Sequence, residues 1–129
     1  MIAFRTCRFY NGAMWSVDIQ LVTGWLASLD QDSREQVVAA VELLEERGPI
    51  LGRPLVDTIA GSRHKNMKEL RPGSSGRTEL RILFAFDPER QAILLVAGDK
   101  AGDWKGWYKR NIPVADDLFT EHIRRSRGD

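Results

Sequence analysis

Two stretches of the chain alternate between apolar and polar positions, and two others repeat apolar residues at helical spacing. From Trp15 to Leu21, residues Trp15, Val17, Ile19 and Leu21 face one way and Ser16, Asp18 and Gln20 the other, which predicts a half-buried strand. Thr78 to Phe86 does the same, with Leu80, Ile82, Phe84 and Phe86 facing a core while Glu79 and Arg81 face away. Met67 to Arg71 reads as a shorter strand closed by the turn formers Pro72, Gly73, Ser74, Ser75 and Gly76. Asp87-Pro88-Glu89-Arg90 is a tight turn, and the nearly continuous apolar run from Gln91 to Gly98 suits a central strand.

Helical spacing begins at Val22 to Leu29, where Trp25, Leu26 and Leu29 share a face. Ser33 and Gln36 form a capping-box pattern, followed by the stripe Val37, Val38, Ala40, Val41 and Leu44, and Gly48-Pro49 stops that helix. Its other face carries Arg34, Glu35, Glu42, Glu45 and Glu46, either a solvated surface or a docking one. Gly48 to Ser62, rich in Gly and Pro, reads as a connecting loop. Asp103 is a suitable N-cap for a helix opening at Trp104, with Trp104, Trp107 and Tyr108 on one face. Pro113 is expected to interrupt it, leaving Val114 to Arg125 as a final helix. Strand, two helices, three antiparallel strands and a carboxy-terminal helix make an α+β fold with one mostly antiparallel sheet.

Length and composition narrow this picture. A chain of 129 residues fits one domain, 1–129, with 1–14 set apart as a candidate amino-terminal extension and Met14 as an alternative start. Apolar and charged fractions of 43% and 29% exclude a disordered chain, and no apolar run approaches the roughly 18 residues of a membrane span. Met1 to Met14 lacks the apolar stretch of a secretory signal, so a cytoplasmic location is expected. The single cysteine, Cys7, excludes an internal disulfide and a multi-thiolate metal site. No cofactor or metal is expected.

The net charge of +1 conceals an uneven distribution. Asp30 to Glu46 holds six acidic residues and one arginine, whereas Arg63 to Arg81 holds six Lys or Arg against Glu69 and Glu79. The basic stretch is a footprint for a polyanion. Phosphate-cradling glycine loops, zinc-spaced clusters and nucleophile elbows are absent from the sequence. What stands out is a set of basic and aromatic residues on neighbouring strands and at one strand end: Arg71, Arg81, Lys100, His64 and Tyr108 as candidates for chemistry, and Arg63, Lys65, Lys68, Trp104 and Lys105 as candidates for holding a polyanion.

Each has an ordinary alternative. A strand-borne Arg81 is poised to fork onto a phosphate, or else it pairs across strands with Glu69 or Glu79. Arg71 shares the polar face of Glu69 and the same two readings. His64 has the pKa for proton transfer near neutrality, or is a solvated surface histidine. Lys100 follows the strand end Gly98-Asp99 as a site residue or an exposed loop lysine. Of the aromatics, Trp107 reads as core, Trp104 is undecided, and Tyr108 is favoured as a ligand contact because its hydroxyl offers a polar end. His122 reads as structural.

The run Met67-Lys68-Glu69-Leu70-Arg71, a turn, Arg77-Thr78-Glu79-Leu80-Arg81-Ile82-Leu83-Phe84, then Ile93-Leu94-Leu95-Val96 ending in Gly98-Asp99-Lys100, resembles the RelE/HigB superfamily and within it the phage-derived HigB-like subgroup. The likeness runs from about Trp15 to Tyr108. It implies a RelE-like fold and the toxin of a type II toxin-antitoxin system, neutralised by a helix-turn-helix antitoxin and cutting mRNA on the ribosome. The family reaction is metal-independent attack of a 2′-hydroxyl on the adjacent phosphate. By position, Arg71, Arg81 and Lys100 match the family's basic residues, and Tyr108 a carboxy-terminal aromatic. Met67 and Glu69 stand where some RelE members present lysines, which leaves His64 and Asp99 as substitutes for proton transfer. Two other readings remain: a ParE-like toxin acting on DNA gyrase, on the same scaffold, and a non-catalytic RNA-binding domain.

Overall fold

The computed structural model describes residues 15–73 and 76–128. The candidate extension 1–14, with Cys7 and Met14, and the turn residues Ser74 and Ser75 lie outside that range.

The first strand is shorter than its alternation predicts: β1 covers Ser16–Asp18, and a single 3-10 turn, Gln20–Val22, replaces the rest. The Asp18 carboxylate accepts from the Gln20 backbone N–H at 2.9 Å, which turns the chain out of the strand. Helix α1 follows at Thr23–Ser28 and α2 at Gln31–Arg47. The N-cap of α2 is Asp30, whose side chain accepts from Ser33 N–H, so the helix starts one turn before the Ser33-Gln36 box suggests. Ser33 is instead buried inside the first turn. At the other end Gly48 adopts φ 59°, and any Cβ there would meet the Trp15 ring, so glycine both stops α2 and admits the indole.

Within the predicted loop 48–62 lies a further strand, β2 at Val56–Thr58, followed by β3 at Met67–Leu70, β4 at Leu80–Phe86 and β5 at Gln91–Asp99. The five strands form one sheet in the order β1-β5-β4-β3-β2. Only β1 and β5 are parallel; the other pairs are antiparallel, in accord with the expected α+β class. The last helix, α3, runs unbroken over Trp104–Ser126 with Pro113 inside it, which corrects the expected interruption. Pro113 removes one i→i−4 bond, and burial of Trp107 before it and Ala115 and Phe119 after it keeps both halves seated.

A second correction concerns the sheet. The strand alternation places Leu80, Ile82 and Phe84 under α1 and α2, together with Val37, Val41 and Leu44. The opposite face, expected to meet solvent or a ligand at Arg81, carries Met67, Leu83, Ala85, Ile93 and Leu95 and is covered by α3 through Trp107, Ala115 and Phe119. Both faces are therefore buried, and polar residues on the α3 side reach solvent only where the helix leaves the sheet uncovered. Among the described residues no helix is long and apolar enough to cross a membrane.

Candidate functional site

The uncovered corner of the sheet lies where β3, β4 and β5 meet the first two turns of α3. Its position follows from register. Arg81 is opposite Gly98, and Glu69 is opposite Asp57 on one side and Leu83 on the other, so Asp57, Glu69 and Arg81 share the α3 face. Lys100 follows β5 directly and is tied to the neighbouring chain by its N–H to the Glu79 carbonyl, 3.1 Å. Gly98 allows α3 to close down here. A Cβ on it would sit 2.6 Å from the Trp107 indole nitrogen. With no side chain in the way, Trp107 packs on the strand and carries Tyr108, one residue on, to the edge of the acidic and basic cluster.

Glu69 is the hub. Its carboxylate accepts the Tyr108 hydroxyl through both oxygens, each at 2.9 Å. Arg81 Nε lies 3.1 Å and Arg71 Nε 3.9 Å from Glu69 Oε1. Arg71 also faces Asp57 at 3.7 Å. The side chains of Arg81 and Glu69 are only 10% and 8% exposed, so this ion pair is largely removed from water. Arg81 Nη1 donates to the Leu80 carbonyl at 2.7 Å, so the guanidinium is held between that carbonyl and the Glu69 carboxylate. The Tyr108 hydroxyl is pushed up to about 12, first by burial and then by the Glu69 carboxylate that accepts from it, with Arg81 opposing. It therefore holds its proton at neutral pH and acts as a donor.

Around this hub opens a groove of about 390 Å³, lined by Asp57, Glu69, Arg71, Lys100, Trp104 and Tyr108 among others. The Lys100 ammonium stands 5.3 Å from the Tyr108 ring centre and 5.9 Å from that of Trp104. Trp104 is 54% exposed at the mouth, with Lys105 Nζ 5.6 Å from its ring. The arrangement offers fixed cations, a neutral phenol, a buried carboxylate and an exposed aromatic face. That set can bind a phosphodiester, place a flanking base by stacking, and take and give a proton. Among the described residues no cluster of His, Cys, Asp and Glu suited to a metal ion is present.

Of the residues singled out in the sequence, Arg71, Arg81, Lys100, Tyr108, Trp104 and Lys105 come together here. His64 does not. Its Nε2 is 2.8 Å from the Thr120 hydroxyl and its ring meets Phe119 edge-on, about 18 Å along the helix axis from Tyr108. Arg63 and Lys65 flank it on the same loop, and Arg63 pairs with Asp117 at 2.7 Å. Lys68 is opposite Phe84 and therefore belongs to the α2 side of the sheet. Glu69 and Asp57 were not among the sequence candidates. The signal for Glu69 was its place between two strand arginines on the polar side; Asp57 sits in a strand the Gly and Pro pattern concealed.

Residues 24–120 match the family model described as "Phage derived protein Gp49-like". The chain belongs to the Gp49-like family. It is 62% identical over 109 residues to "Putative toxin HigB2" of Mycobacterium tuberculosis, a match covering 84% of this chain and 54% of that protein. It is 57% identical over 106 residues to "Putative toxin HigB3" of the same organism, covering 78% of this chain and 90% of the relative. The chain thus spans about half the length of the first of these relatives and most of the second. No solved structure matches. All the groove residues of this Gp49-like chain fall inside the matched span, whereas the last turns of α3 lie beyond it.

Proposed function

We propose that this Gp49-like chain is the toxin of a type II toxin-antitoxin pair and that it acts as a metal-independent mRNA endoribonuclease on the ribosome, held in check by a helix-turn-helix antitoxin. The observation that carries the reading is the convergence of Arg71, Arg81 and Tyr108 on the buried Glu69 carboxylate, with Lys100 lining the same groove. The HigB names of the relatives support the toxin class.

In this reading the phosphodiester lies against Arg71, Arg81 and Lys100. The 2′-hydroxyl attacks phosphorus, forming the O2′–P bond, and its proton passes to Glu69. The P–O5′ bond breaks, leaving a 2′,3′-cyclic phosphate, and the departing 5′-oxygen takes a proton from Lys100 or Tyr108. The three cations neutralise the charge that builds on the phosphorane oxygens, the larger share of such catalysis when donors are fixed in advance. Trp104 stacks a flanking base.

The test is induced expression in a bacterial host followed by primer extension on cellular transcripts. Growth arrest with new transcript ends, both relieved by Lys100→Ala or Tyr108→Phe, is expected. Arrest with intact transcripts and blocked replication would contradict the proposal and favour a gyrase-directed toxin.

A further inference from the structure

The groove sets Arg71, Arg81 and Lys100 beside Asp57 and Glu69. A second cationic surface lies elsewhere. The loop bearing Arg63, His64 and Lys65 packs against the carboxy-terminal half of α3, where Arg124, Arg125 and Arg127 emerge. Facing these five formal cations among the described residues are Asp116 beneath the loop, Asp117, paired with Arg63, and Glu121, paired with Arg124 and Arg125. Lys65 and Arg127 have no ion pair among the described residues.

The loop is held in place from beneath. The buried Asp116 carboxylate accepts the Ser62 hydroxyl at 2.5 Å and the Arg63 backbone N–H at 3.0 Å, and Thr120 fixes the His64 ring. A shallow groove of about 330 Å³ runs between the two elements, lined by His64, Thr120, Ile123, Arg124 and Arg127. Residues 117, 120 and 124 recur at helical spacing on one stripe of α3, and its C-cap, Arg127, continues it. Helix-dipole compensation accounts for arginines in the last turn of a helix. It does not account for basic residues brought to the same place by a separate loop.

We infer that this face is a second RNA contact that grips the phosphate backbone away from the scissile bond, an inference that rests on the RNA-cleaving reading above. Arg124 lies about 24 Å along the α3 axis from Tyr108, so a strand must extend well past the cleaved linkage to reach both. The groove then cuts, and the distal face adds salt-sensitive affinity. Guanidinium groups on a fixed surface suit phosphate oxygens, and an exposed basic stripe is the usual source of sequence-independent affinity.

Fluorescence anisotropy with two uncleavable 2′-O-methyl RNA strands tests this, one short enough to fill only the groove and one long enough to span both regions. In Arg124→Ala/Arg127→Ala the long strand should bind about tenfold more weakly at physiological salt, with the slope of log K against log salt reduced by about 1.4, two single-strand phosphate contacts. The short strand should be unaffected, and Lys100→Ala should weaken both. Unchanged long-strand binding in the double variant, with loss in Lys100→Ala, would overturn the distal contact and leave the proposed nuclease standing. Loss of a co-expressed antitoxin by the double variant, with RNA binding intact, would overturn it in favour of an acidic protein surface. Should neither strand bind the unaltered chain, the inference falls, and transcript cleavage in cells decides separately whether the nuclease reading falls with it.

Discussion

At the scale of single residues, the Glu69 carboxylate decides how each neighbour behaves. Removing Arg81 leaves Glu69 buried beside Tyr108 with its closest cation gone, and breaking such a pair costs about 3–5 kcal/mol. Arg81→Ala should therefore show a lower urea midpoint as well as lost toxicity, and its inactivity would not by itself locate the chemistry. Lys100 is half-buried on the rim with no ion pair among the described residues. Lys100→Ala should leave the unfolding free energy from urea titration within about 0.5 kcal/mol of the unaltered chain and still abolish growth arrest.

Tyr108 gives an independent readout. Its hydroxyl is raised from 10.0 to about 12, so absorbance at high pH should show a phenolate step near pH 12 that is missing from Tyr108→Phe. Because the folded value lies above the unfolded one, the stabilisation tied to this proton is complete below pH 10 and is lost as pH rises through about 12. A Tyr108 step near its ordinary value would mean that the phenol is not held by Glu69. Strand alternation made Arg71 and Arg81 legible, and the end of the apolar run made Lys100 so. Glu69 was visible only as a partner for arginines, a role it also fills. That His64 stands apart from the others was not legible, because adjacency to Arg63 and Lys65 in sequence says nothing about which end of α3 the loop reaches.

Among the elements, α3 does most to shape the site, and Gly98 governs how closely it approaches. Gly98→Ala drives a methyl into the Trp107 indole, an overpacked contact expected to cost about 1–3 kcal/mol and to lower cleavage by moving Tyr108. Thermal denaturation and transcript cleavage together check this; a stable and fully active variant would show that the α3 position is not critical. On the other layer, Asp30→Ala removes the cap of α2 and should cost about 1 kcal/mol without touching activity. The longer strands and α2 were readable because their periodicity extends over enough residues to stand out. β2 is three residues long and follows a Pro and Gly run, so its pairing with β3 is decided by tertiary contacts and not by local pattern. The continuity of α3 was hidden for the same reason: packing on both sides of Pro113 outweighs the local penalty.

On the scale of the whole molecule, the sequence pattern suggested one apolar sheet face, and the fold has two. Leu83 and Ala85 lie on the same side as Arg81, which places that arginine at the edge of a second core beneath α3 and explains why its guanidinium is fixed. The double covering leaves one corner of the sheet open, where four of the five residues predicted for chemistry gather. The fifth, His64, belongs to a separate basic face. A near-neutral total charge thus holds two separate cationic surfaces, of which the groove is expected to cut and the distal face to add RNA affinity.

The measurement that tests the central claim most directly is the chemistry of the cut ends. Purified chain added to a translating ribosome system programmed with a defined mRNA should produce fragments ending in a 2′,3′-cyclic phosphate, in the presence of a chelator and with no product from folded Lys100→Ala. Ends bearing a 3′-hydroxyl, cleavage that the chelator abolishes, or undiminished cutting by Lys100→Ala would contradict the account.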